Sequence, residues 1–261
     1  MTTLATAPPP SGGFNSPGVE DFNLPPIFGD ITKPVLQLVL AALIIWAFFA
    51  LSVRKPSLVP SKGQFLGESL HGLVRNSIAR DNIGPEFLKF VPYLTTLFAF
   101  ILVNNLFGII PIIQFPTFSH PGMPYVLAIF TWLIFTWVGI KHHGFIGYLR
   151  ISTWPPGVPG WVRFILTPIE FISNILLRPV TLSLRLFGNM FAGHLLLLVF
   201  ILGGEYMLLH SETLLPKIIS PIAFVLAIVF TFFEAFIQVV QAYVFVILTA
   251  SYIGTVLADD H

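Results

Sequence analysis

Two runs of almost unbroken apolar residues, Phe164 to Leu202 and Ile218 to Ala258, constrain this chain more than anything else in it. Coiled as single helices they would extend about 58 and 62 Å, roughly twice the ~30 Å hydrocarbon thickness of a bilayer. Each run is then either a broken pair of spans or one helix tilted far from the membrane normal. A break would need turns in apolar sequence that offers only Pro179, Gly188 and Gly193, and a connection running from Gly203 to Lys217 separates the runs. The expectation is a hairpin of two long, steeply tilted helices, a geometry that can lie across a neighbouring assembly.

The rest of the chain fits a membrane solvent. Hydrophobic residues make up 55% and charged residues 10%, whereas a soluble domain carries about a quarter charged residues. The fold class is therefore an all-α integral membrane protein, with about five membrane-crossing helices and one interfacial helix. A net charge of +1 leaves no basic face for neutralising phosphates, which excludes nucleic acid as a partner. With no cysteine, thiol catalysis and thiolate metal sites are excluded as well.

Residues 1–34, rich in proline and glycine, read as an external N-terminal tail with too little apolar periodicity for a core. Residues 35–261 read as a single membrane domain. Its spans are expected at 35–53, 91–113, 125–140, 164–202 and 218–258. Between the first two, Ser61 followed by Gln64 forms a capping box, and Phe65, Leu66, Leu70, Leu73, Val74 and Ile78 make one apolar stripe. This predicts an amphipathic helix over 62–80, lying on headgroups or packed on the protein itself. Asn104 and Asn105 in the second span favour hydrogen bonding between helices. Lys141, His142 and His143 read as a solvated helix end; adjacent histidines lack the one-face spacing of a metal site.

Lys and Arg counts set the topology. Arg54, Lys55, Lys62, Arg75, Arg80 and Lys89 follow span one, and Lys141, Arg150 and Arg163 follow span three, so both loops belong inside. The other connections carry only Lys33 and Lys217. The chain is expected to begin outside and end in the cytoplasm.

Charged groups at membrane depth cost about 3 kcal/mol or more and mark function by default. Arg185 is one such group. Arg178 and Arg185, seven apart, share a helix face with Asn189, while His194 points roughly the other way. Glu234, Gln238 and Gln241 occupy one stripe of the last helix. Blander readings exist: Arg185 paired with Glu234 or Glu170, Gln241 as glue between helices, His194 as a satisfied interior imidazole. Together these side chains are most of the polar groups in two adjacent apolar helices, a donor and acceptor chain suited to moving protons or ions.

The block R-L-F-G-N-M-F-A-G-H at Arg185–His194, with N-N-L-F-G-I-I-P at Asn104–Pro111 and Q-A-Y-V-F-V-I-L-T at Gln241–Thr249, closely resembles subunit a of the rotary F-type ATP synthases. The resemblance covers most of the chain. It implies a stator subunit with two offset half-channels in an energy-transducing membrane such as a bacterial plasma membrane. It also implies the c-subunit ring, the peripheral-stalk b subunits and lipid as partners, and no cofactor or metal. Arg185 would face the ring carboxylates with Gln241 beside it, and Asn189, His194 and Glu234 would line the outer half-channel. Glu170 and Ser173 resemble the acid and hydroxyl of the cytoplasmic half-channel. Many bacterial members carry an acid where this chain has His194 and a histidine where it has Glu234; here the pair is exchanged.

Two other classes were weighed. A proton-coupled secondary transporter would also hold Arg, Glu and His at mid-membrane, but it would show an internal repeat and more spans. An intramembrane enzyme would want H-E-x-x-H or an interacting Ser and His, and neither motif occurs. A phosphate-cradling G-K-[ST] loop is also missing, so the chain itself is not expected to make ATP.

Overall fold

The computed structural model describes residues 17–18, 32–53, 59–110, 116–153, 160–211 and 213–258. The tail expected over 1–34 lies almost wholly outside the described residues, as do Arg54, Lys55 and Pro111. Among the described residues eight α-helices follow one another: α1 Lys33–Val53, α2 Lys62–Leu73, α3 Arg80–Ile83, α4 Val91–Leu106, α5 Gly122–Thr153, α6 Gly160–Phe171, α7 Arg178–Leu209 and α8 Leu214–Leu257. Within these described residues, four helical stretches are long and apolar enough to cross a membrane: α1, α5, the continuous Phe164–Leu209 and α8. To these α4 adds a shorter apolar helix. The protein is an all-α integral membrane protein.

Several boundaries differ from the sequence expectation, each for a local reason. Helix α4 stops at Leu106, short of Ile113. Its end tightens into a turn in which Gly108 N–H donates to Asn105 O at 3.1 Å and Ile109 N–H to Leu106 O at 3.0 Å. Ile110 precedes a proline, whose ring disfavours helical backbone in the residue before it.

Helix α5 begins at Gly122, and Lys141–His143 form the last turn before its kink, with Lys141 and His142 exposed, as expected of a solvated helix end. The chain reverses at Gly144 (φ 74°, ψ 168°), a conformation open to glycine and strained for other residues. Residues 145–153 fold back so that Tyr148 packs on Gly139 and its hydroxyl lies 3.2 Å from Thr136 Oγ1.

The amphipathic segment reaches Ile83 through a π-helical turn at Val74–Ala79. Ser61 caps it by accepting from Gln64 N–H at 3.3 Å. Its stripe divides: Phe65 and Leu66 are exposed, whereas Val74 and Ile78 are fully buried in the main core. The segment is thus half surface helix and half core element. That core joins Leu94, Ile101, Phe118, Phe135, Leu182, Leu186, Phe245 and Ile253. The one amide of α1, Gln37, is buried and accepts from Thr117 Oγ1 at 3.2 Å.

A second π-helical turn, Ile172–Leu177, joins α6 to α7. Pro179 follows it, and a proline removes one backbone donor and crowds the carbonyl four residues back, so a widened turn there accommodates the ring.

The two long helices form an antiparallel hairpin, but the connection is only His210–Thr213, not Gly203–Lys217. Gly203 and Gly204 stay helical, and the partner helix holds Gly204. Ser220 Oγ donates to Gly204 O at 2.8 Å, and Ala223 and Phe224 lie within contact of Gly204. Such packing outweighs the ~1 kcal/mol helix penalty of a glycine. Phe200 stacks on Phe230 at 5.1 Å further along.

Candidate functional site

The hairpin and the α6–α7 junction carry the candidate proton-path residues, distributed over three places. The first lies where α7 residues 190–194 face α8 residues 234–238. Glu234 is 4% exposed, and its Oε1 lies 3.8 Å from His194 Nδ1. Gln238 Nε2 donates to the same Glu234 oxygen at 3.0 Å and lies 3.6 Å from Met190 Sδ. From α4, Asn105 Nδ2 donates to the Gln238 carbonyl at 3.0 Å, the bond between helices that its amide suggested. Asn104 instead donates to Phe100 O in its own helix at 2.8 Å.

Seating a carboxyl between two helices requires one of them to give way, and Gly193 does so. A Cβ there would stand 3.2 Å from Glu234 Cγ, Cδ and Oε1. Sequence reading treated Gly193 only as a possible break. Gly193→Ala is expected to displace the Glu234 carboxyl, at a packing cost of about 1–3 kcal/mol. The check is the Glu234 carboxyl band in infrared difference spectra, which should shift; an unchanged band would show that the seat does not depend on the glycine.

The second place is one to two turns away. Asn189 Nδ2 donates to Gln241 Oε1 at 2.7 Å across the hairpin. Arg185, one turn before Asn189, is exposed and makes no hydrogen bond or ion pair among the described residues. It is paired with neither Glu234 nor Glu170. A permanent cation therefore projects beside Asn189 from a helix surface that includes exposed Leu184 and Leu196, with open space at Gly188.

The third place is at the α6–α7 junction. Asn174 Nδ2 donates to Glu170 Oε2 at 3.1 Å and to Ser152 O at 2.7 Å. Its Oδ1 accepts from Arg178 Nη2 at 2.9 Å. The Arg178 guanidinium stacks 4.6 Å from the Tyr252 ring centroid. Arg178 thus has internal partners where Arg185 has none, although the two were expected to share a face. Ser173 is exposed and joins no hydrogen bond among the described residues.

Asn174 and Tyr252 were missed from sequence. The recurrence of Glu170, Asn174 and Arg178 every fourth residue was the available signal for Asn174; nothing in the sequence pointed to Tyr252. Arg185 lies about 10 Å along the helix from Arg178 and about 13 Å from His194, between a buried polar cluster and a partly buried one.

On α8 and on α4 several buried polar atoms have no hydrogen-bond partner among the described residues: Glu234 Oε2, Gln238 Oε1 and Gln241 Nε2 on α8, and Asn104 Oδ1 and Asn105 Oδ1 on α4. Each such group costs about 1–3 kcal/mol unless water reaches it. Polar atoms so grouped are the setting in which buried water is retained.

A family model described as ATP synthase A chain matches residues 35–254. ATP synthase subunit a of a Nocardioides species is 51% identical, covering 95% of both chains. Its counterpart in Pseudarthrobacter chlorophenolicus is 47% identical over the whole of both chains, and that of Rhodococcus erythropolis is 38% identical over all of this chain and 95% of the relative.

Proposed function

The chain belongs to the ATP synthase A chain family, and from that premise we propose that it is the proton-translocating stator subunit of the synthase membrane sector. The observation that carries the reading is the lone Arg185, exposed on the hairpin between two polar clusters. His194, Glu234, Gln238 and the Asn189–Gln241 pair form the route from the outer side. Glu170, Asn174 and Arg178 belong to the route toward the cytoplasm, with Ser173 at its exposed edge. Arg185 separates the two.

The mechanism follows from fixed charge. A carboxylate on the rotating c-ring that passes within a few ångströms of Arg185 has its ionised form favoured and gives up its proton. Once past the arginine and back in an apolar surrounding, it favours the neutral form and takes a proton from the other route. The unsatisfied amide and carboxyl atoms along α8 and α4 supply the polar lining that such a route needs. His194 and Glu234, an imidazole and an acid within 3.8 Å, can pass a proton between them in either direction. Each proton falling through 100 mV releases about 2.3 kcal/mol, so several must pass for each ATP, and a stepping ring gathers them. The c-ring and the peripheral-stalk b subunits are the partners this requires. The orientation has the N-terminus outside and the C-terminus in the cytoplasm, following the charge asymmetry of the loops.

The test is ATP-driven acidification of inverted membrane vesicles whose only subunit a is this chain. Wild-type vesicles should acidify on ATP addition and lose the gradient with an uncoupler; failure to pump with a fully assembled complex would remove the reading. Glu170→Gln should impair proton exchange with the cytoplasmic side, release during ATP synthesis and uptake during ATP-driven pumping, while the complex still assembles. Unchanged pumping across a wide pH range would make Glu170 a structural partner of Asn174 and Arg178.

A further inference from the structure

Away from the hairpin site, a cavity of about 410 Å3 opens beside the end of α5, lined by Lys89, Phe90, Trp137, Lys141 and His142, with Glu86, Val138 and Leu257 completing its wall. It combines two kinds of surface. Trp137, Val138, Lys141 and His142 form one stripe of α5, with Trp137 one turn before Ile140, the last apolar residue ahead of Lys141. Trp137 is 69% exposed, at the depth where tryptophans anchor proteins to the headgroup layer.

The cationic side is built from two elements. Lys141 is exposed and makes no hydrogen bond or ion pair among the described residues. Lys89, 68% exposed, holds Glu86 at 2.8 Å and keeps two further N–H donors free. Hydrogen bonding and charge from Lys89 hold the Glu86 carboxyl below its ordinary range, with a smaller contribution from His142. Glu86 thus stays ionised and engaged with Lys89, leaving Lys141 as the unengaged cation of the cavity. His142 adds a ring nitrogen that lies 3.1 Å from His143. Cationic pockets between membrane helices at the headgroup level suit phosphodiester groups.

The geometry points to this cavity as a binding site for the headgroup of an anionic phospholipid, its phosphate against Lys89, Lys141 and His142 and an acyl chain along Phe90, Trp137 and Val138. The apolar wall decides between a lipid and free phosphate, because an inorganic anion would gain nothing from an exposed indole. The site ties the start of α4, the end of α5 and Leu257 of α8 to one lipid molecule.

Quenching by brominated lipids tests this in the assembled complex in nanodiscs. The Trp137 signal is taken as the difference between wild type and Trp137→Phe. Brominated phosphatidylglycerol should quench that signal more strongly than brominated phosphatidylcholine at equal mole fraction. Lys89→Gln and Lys141→Gln should each reduce the preference about fivefold, the weight of one basic residue at an anionic surface. Lys217→Gln, at the far end of α8, should leave it intact.

Equal quenching by the two lipids overturns the proposal, as does a preference that survives the Lys89→Gln, Lys141→Gln pair. Equal loss in Lys217→Gln would reduce it to general surface charge. Relief of quenching by inorganic phosphate would assign the site to a free anion and overturn the lipid assignment.

Discussion

Arg185→Ala should abolish ATP-driven proton pumping and coupled ATP synthesis while raising passive proton leak. The expectation rests on position: Arg185 is exposed on the hairpin without an internal counter-ion among the described residues, and the two polar clusters flank it at about 10 and 13 Å along the helix. A fixed unit charge about 4 Å from a passing proton, at an effective dielectric of about 20, raises the barrier by ~4 kcal/mol, or about a thousandfold in rate. Removing the charge removes that barrier, so leak should increase by up to about that factor. Arg185→Lys should also fail, because an ammonium lacks the planar fork and can lose its proton in a desolvated site.

A permanent internal pair would defeat the role, since a buried ion pair resists separation and would hold the ring in place. The contrast with Arg178 sharpens the test. Arg178 is held by Asn174 at 2.9 Å and lies over Tyr252, so Arg178→Ala should damage packing at the α6–α7 junction and leave the proton barrier standing. Proton flux into inverted vesicles, with and without ATP, distinguishes these outcomes. Normal pumping by Arg185→Ala would remove the central claim.

The second large effect is expected at the acid and imidazole pair. Glu234 and His194 lie 3.8 Å apart across the hairpin, and a positioned proton-transfer group is worth about 10²–10⁴ in rate. His194→Ala and Glu234→Ala should therefore each slow proton uptake from the outer side by at least about tenfold, with assembly preserved. Glu234→Ala carries a further cost, because it strands the Gln238 amide that donates to Glu234 at 3.0 Å. Exchanging the pair, His194→Glu with Glu234→His, should restore part of the flux, since one acid and one imidazole again face each other. The restoration should be incomplete, because Gly193 is shaped around a carboxyl on α8. Full activity in the His194→Ala, Glu234→Ala double variant would sink the relay.

The sequence by itself determined the solvent, the fold class and the two long helices. Those follow from hydropathy and length, which act residue by residue: a run such as Leu214–Leu257 has only one low-cost environment and must satisfy its backbone internally. It also singled out Arg185, because an ionised group in such a run has to be explained.

Tertiary structure decided the rest. Whether Gly204 breaks a helix depended on Ser220 and Ala223 of the opposite helix of the hairpin. The reversal of α5 at Gly144, not at Lys141, was settled by Tyr148 closing onto Gly139. The pairing of His194 with Glu234 and of Asn189 with Gln241 depends on hairpin register, which no helical periodicity encodes. Arg178 and Arg185 are alike in sequence spacing and differ in fate because only Arg178 faces Asn174 and Tyr252. Periodicity places a side chain on a face of its own helix; what that face meets is fixed by packing between segments far apart in the chain.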